Sequence, residues 1–101
     1  MLRLRGLLVL LDVLWAGAVS ARDATVTIKS FHFAPMAVTV AAGDSVTWRN
    51  LDEEPHTVAG DDFRSGGLDT GGAFTFTFRK PGTYRYRCSI HPQMTGSVTV
   101  K

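Results

Sequence analysis

From Ala24 to the C-terminus, apolar residues recur at every second position and nowhere sustain a helical spacing. Val26 and Ile28 stand opposite Thr25, Thr27 and Lys29. Val38 and Val40 alternate with Thr39, Val46 and Trp48 with Thr47 and Arg49, and Phe74, Phe76 and Phe78 with Thr75 and Thr77. Tyr84, Tyr86 and Cys88 alternate with Thr83, Arg85 and Arg87, and Val98 and Val100 with Ser97 and Thr99. A period of two puts one face of each segment against a core and the other toward water. The residues involved are β-branched and aromatic, which suits strands.

Turn residues separate these runs. Pro35 closes a strand that carries Phe31 and Phe33 around His32, and Ala42-Gly43-Asp44 and Pro81-Gly82 are turns. Asn50 to Pro55 reads as an acidic loop, His56-Thr57-Val58 as a short strand, and Ala59 to Gly72 as a polar, glycine-rich stretch without a period. About seven short strands result, and their spacing predicts an all-β antiparallel sandwich. Trp48, Phe74, Phe76 and Phe78 are assigned to its core, with Tyr84 and Tyr86, whose hydroxyls need partners. His32 points away from Phe31 and Phe33, toward solvent.

The chain has 101 residues, enough for one domain. Residues 1–21 read as a secretory signal: Arg3 and Arg5 begin it, Gly6 to Val19 is apolar, and Val19-Ser20-Ala21 offers small residues for cleavage. Asp12 is unusual within such an apolar stretch. The remaining domain, residues 22–101, has about 80 residues and a modest core, a size at which a bound metal often contributes to stability. With one cysteine, neither an intrachain disulfide nor an all-cysteine metal site exists. A net charge of +2 without a basic run argues against nucleic acid as a partner.

The segment that carries chemistry is Cys88-Ser89-Ile90-His91-Pro92-Gln93-Met94. A thiolate, an imidazole and a thioether lie within one loop between the last two strands. Soft sulfur with imidazole favours copper over hard cations. His56, far back in the sequence, supplies a second imidazole. Two His, one Cys and one Met make the type 1 copper set, in which two imidazole nitrogens and the thiolate sulfur form a trigonal plane with a weak axial thioether. Each residue alone has an ordinary explanation, such as a buried thiol or a methionine filling a gap. Their joint placement between predicted strands favours a metal site.

At these residues the chain resembles the cupredoxins, the small blue copper proteins. The resemblance runs through Phe31-His32-Phe33-Ala34-Pro35, Ala42 to Trp48, Asp52 to Val58, Gly82 to Cys88 and Met94 to Val100. The two-residue gap between His91 and Met94 is similar to that of amicyanins. The resemblance implies a Greek-key sandwich and one copper ion (Cu(I)/Cu(II)), with His56, Cys88 and His91 equatorial and Met94 axial. It further implies electron exit through a partly exposed His91, inside an apolar docking surface of Pro92, Met94, Pro35 and Met36. The family often has Asn after the first histidine. Here Thr57 stands there, and a Thr57–Ser89 hydrogen bond is the expected replacement.

Three functions compete: one-electron carriage between periplasmic redox proteins, copper trafficking or storage, and copper catalysis. Catalysis fits least, because Arg87 and Ser89 flank Cys88 and only His32 remains as a further histidine. Redox partners such as a c-type cytochrome or a periplasmic dehydrogenase, and a monomeric carrier, follow from the first reading. Arg85 and Arg87, with Arg49 and Lys29 nearby, read as a solvated face more readily than as a steering rim. Asp52, Glu53 and Glu54 offer a surface for a basic partner.

Overall fold

The computed structural model describes Asp23–Lys101, and the expected signal segment, residues 1–21, lies outside the described residues. Eight strands follow in order: β1 Asp23–Lys29, β2 His32–Ala34, β3 Ala37–Val40, β4 Ser45–Asn50, β5 Ala59–Gly60, β6 Ala73–Thr77, β7 Gly82–Arg87 and β8 Thr95–Val100. They form two four-stranded sheets, ordered β2-β1-β4-β6 and β3-β8-β7-β5. The predicted sandwich is therefore present. Its sheets are mixed: β1 runs parallel to β4, and β3 parallel to β8, while the other pairs are antiparallel. The parallel pairs arise because the chain changes sheets at Pro35-Met36, between β2 and β3, and then returns in β4. The Ala34–Pro35 peptide at that crossing is cis.

Two local assignments shift. The strand expected at His56-Thr57-Val58 is a single bridge from His56 to Leu68, and the strand proper is β5, just beyond it. Phe31 leaves its expected strand. With Ser30 it forms a two-residue turn between β1 and β2, at φ 52° and 60°. Two left-handed residues suit the twist of a tight hairpin, but Ser and Phe are poor choices for that conformation, so another interaction must hold it.

The alternating faces close on one core. Val26, Ile28, Val46 and Trp48 of the first sheet meet Tyr86, Val98 and Val100 of the second, with Val58, Phe63 and Phe78 between them. Phe74, Phe76 and Tyr84 are partly buried against this cluster. Burying each large apolar side chain contributes about 1.5–3 kcal/mol, so this interface is the main stabilising term. The Tyr84 hydroxyl donates to the Lys80 carbonyl at 2.7 Å. The Tyr86 hydroxyl and the Trp48 indole nitrogen, both buried, meet no hydrogen-bond partner of good geometry among the described residues. Burial pushes the Tyr86 hydroxyl up to about 12, against a smaller opposing effect of Trp48.

Tyr86 faces Gly96 across the β7–β8 ladder. A Cβ at position 96 would lie 2.4 Å from the Tyr86 ring and hydroxyl. Gly96→Ala is therefore expected to destabilise the domain by about 1–3 kcal/mol through overpacking, read as a lowered thermal midpoint. An unchanged midpoint would show that the Tyr86 pocket relaxes freely.

Candidate metal centre

Three connections meet at one end of the sandwich: the Ser30-Phe31 turn, the β4–β5 loop with His56, and the β7–β8 loop with Cys88, His91 and Met94. They meet because β1, β4 and β7 all finish there. Asn50 ends β4 fully buried and organises the loop that follows. Its side-chain amide donates to the carbonyls of Glu54 (2.9 Å) and Leu68 (2.8 Å), and its side-chain oxygen accepts the Asp52 amide at 2.9 Å. His56 and Leu68 then exchange backbone hydrogen bonds at 3.1 and 2.7 Å. The His56 ring is thereby delivered into the interior, 0% exposed.

The second loop closes on itself. The Cys88 amide donates to the Met94 carbonyl at 3.1 Å, and the Met94 amide to the His91 carbonyl at 2.9 Å. Cys88 and Met94 are buried, whereas His91 is half-buried. The ligand atoms of His56, Cys88 and His91 lie within 4.8 Å of one another. The Cys88 sulfur is 3.8 Å from Nδ1 of each histidine. All three sequence-predicted donors of the trigonal set thus converge, and the fourth, Met94, is buried at the base of the same loop.

The donor set suits a soft cation. The Thr57 amide donates to the Cys88 sulfur at 3.4 Å, an interaction that favours thiolate. The expected Thr57–Ser89 bond is present: the two hydroxyls are 2.8 Å apart, and the Ser89 amide donates to the Thr57 hydroxyl at 2.8 Å. Thr57 therefore links the two loops. Burial alone would raise the Cys88 thiol. The Thr57 amide, with the His56 and His91 groups, outweighs it and brings the thiol from 9.0 down to about 6.

Two contributors escaped the sequence reading. Asp52, taken there for part of an acidic docking surface, accepts the Ser30 amide (2.6 Å), the Phe31 amide (2.9 Å) and the His56 Nε2 proton (2.9 Å). Burial pushes its carboxyl up, but the hydrogen bonds from Phe31, Ser30 and His56 win and hold it below 3.8. The ring is thereby held with Nε2 toward Asp52 and Nδ1 toward the Cys88 sulfur. Only the four-residue spacing between Asp52 and His56 hinted at this. Phe31 sits edge-on to both histidines, at centroid distances of 5.1 and 5.0 Å, and is 42% exposed.

Other expectations are refined. His32 is exposed, as predicted, and its Nδ1 bonds to the Ser30 carbonyl at 2.7 Å. Met94 is 3% exposed, so it cannot form part of a docking surface; Met36 (59%), Ile90 (50%), Leu51 and Phe31 are exposed apolar groups on the loops near that end. Arg49 and Lys29 belong to the sheet opposite Arg85 and Arg87, and the Arg49 guanidinium donates to the Gly71 carbonyl at 3.0 Å.

A thiol depressed in the folded state stabilises that state fully above its unfolded pKa and loses the contribution as pH falls through the folded value. The metal-free domain should therefore lose stability as pH is lowered from 9.0 to about 6. Its ultraviolet thiolate absorbance should titrate near the lower value, and a midpoint at 9.0 would contradict the arrangement.

Residues 6–100 match the family described as the cupredoxin-like domain. Amicyanin of Paracoccus versutus is 36% identical over 93 residues, covering 85% of this chain and 70% of that protein. Chloroplast plastocyanin of Physcomitrium patens is 36% identical over 100 residues, covering 80% and 60%. Among solved structures, the Cu(I) form of an amicyanin point mutant superposes with a TM-score of 0.75 at 29% identity, covering 84% of this chain and 88% of that one. A purple cupredoxin from Nitrosopumilus maritimus gives 0.73 at 32% identity, covering 77% and 99%. Because the similarity spans both sheets and both loops that meet at the thiol, the chain belongs to the cupredoxin family.

Proposed function

We propose that His56, Cys88 and His91 hold one copper ion in a trigonal set, with Met94 as the weak axial donor, and that the protein is a one-electron carrier. The observation that carries this reading is the convergence of one thiol and two imidazole donor atoms within 4.8 Å at one end of the sandwich. The amicyanin and plastocyanin relatives support it. Bound copper supplies a Cu(II)/Cu(I) couple, and intermediate geometry suits both states.

The chain's own residues do the rest. Asn50, Leu68 and Asp52 fix the His56 ring, and Thr57 ties its loop to the thiolate. Ligands held from two loops on two sheets move little when charge changes, which keeps reorganisation small. Core side chains exclude water from Cys88 and His56, both 0% exposed. His91 alone of the three reaches the surface, so it is the proposed port, with Phe31 and Ile90 as its apolar surround.

The proposed setting is the periplasm, after cleavage of residues 1–21, with the domain 22–101 acting as a monomer. A c-type cytochrome or a periplasmic dehydrogenase is the proposed kind of partner. The role is carriage, not catalysis.

The Cu(II)-loaded domain should show an intense thiolate-to-copper band and a narrow copper hyperfine splitting in electron paramagnetic resonance. Cys88→Ser should abolish the band, while His32→Ala should leave it. A pale spectrum with ordinary splitting would favour trafficking or storage instead.

Met94→Leu should retain the band and raise the reduction potential, since a donor favouring Cu(II) is removed. A lowered potential would contradict the axial assignment.

A further inference from the structure

The outer face of the β3-β8-β7-β5 sheet carries a groove of about 490 Å³, away from the thiol's own cluster. Its construction follows from register. Arg85 and Arg87 point outward from β7, alternating with buried Tyr86. Ser97 and Thr95 stand opposite them on β8, and Ala37 stands beside Ser97 on β3. Small residues thus make the floor. Met36 lines it on the β3 side, and Asp61 and Arg64 on the β5 side.

Three features separate this groove from an ordinary solvated face. First, Asp23–Lys101 holds eight acidic and eight basic residues, so the domain is balanced; yet Arg64, Arg85 and Arg87 line one groove with Asp61 as its sole acidic lining residue. Second, none of these guanidinium groups has an ion pair or side-chain hydrogen bond among the described residues. Third, the groove reaches the copper end. Met36 and Thr95 also line a second hollow, of about 270 Å³, with Phe31, Gln93 and Met94. Arg87 is itself bonded to Cys88.

We propose that Arg64, Arg85 and Arg87 form a docking groove for a carboxylate-rich surface of a redox partner, with Met36 as its apolar edge. The functional part of this inference rests on the electron-carrier reading: an occupant would lie against Arg87, the residue that precedes Cys88, on a face separate from His91. Binding itself requires only the groove. Fork-shaped guanidinium groups suit carboxylates, and an unpaired cluster attracts an anionic partner with strong salt dependence.

The test is an amide NMR titration of the Cu(I)-loaded protein with a polyglutamate peptide. Shifts should centre on Arg64, Arg85, Arg87, Thr95 and Ser97, and should fade with added sodium chloride. The double variant Arg64→Gln/Arg85→Gln should weaken binding about tenfold, while the charge-matched Arg79→Gln/Lys80→Gln should leave it nearly unchanged. Equal weakening in both variants would reduce the effect to net charge and overturn the groove. So would shifts centred on Lys29 and Arg49, no shifts at all, or inorganic phosphate binding as tightly at the same residues. The carrier reading is checked separately by the blue band. A protein that lacks the band yet keeps the peptide shifts fails as a carrier and retains the groove.

Discussion

The carboxylate of Asp52 gathers three parts of the molecule that the chain keeps far apart. It accepts two amides of the Ser30-Phe31 turn and the ring proton of His56. Two residues without glycine's freedom are held in the left-handed region by those amide bonds, and the same carboxylate settles which imidazole nitrogen faces the thiol. Phe31 is thereby pressed against both histidine rings. Hairpin geometry, imidazole orientation and aromatic shielding thus share one hydrogen-bonding centre. Charge-assisted hydrogen bonds of this kind are roughly twice as strong as neutral ones, which suits a junction with so many dependants.

The division of labour between the loops is equally physical. The His56 loop is rigid because its buried polar groups are satisfied, Asn50 most of all. The Cys88 loop is rigid because it is short and closed by backbone bonds at its base. Thr57 joins them through Ser89 and the sulfur. A site built this way is preorganised by scaffold bonds, and the metal does not have to assemble it.

Much of this was legible in the sequence, for identifiable reasons. Alternation at period two survives in any half-buried strand, so the sandwich and the core positions of Trp48, Phe78 and Tyr86 could be read directly. The donor loop was legible because Cys88, His91 and Met94 are local. The parallel pairings were not, since alternation carries no strand direction. Phe31 was misplaced because the turn that expels it depends on Asp52, about twenty residues on, and no local propensity favours Ser-Phe there. Asp52 itself looked like one more surface acid. Its neighbours Glu53 and Glu54 are indeed exposed, and nothing local distinguishes the carboxylate that turns inward.

The buried indole of Trp48 has an optical consequence. It is the only tryptophan within Asp23–Lys101, fully buried and packed among Phe63, Phe74, Phe78 and Tyr86. An indole among so many apolar rings has few dipoles free to relax around its excited state. Its emission belongs at the short-wavelength limit for the chromophore. Any loosening between the two sheets would admit solvent dipoles and move that emission to longer wavelength. The domain therefore carries, at the centre of its sandwich, its own gauge of how tightly the two layers are closed.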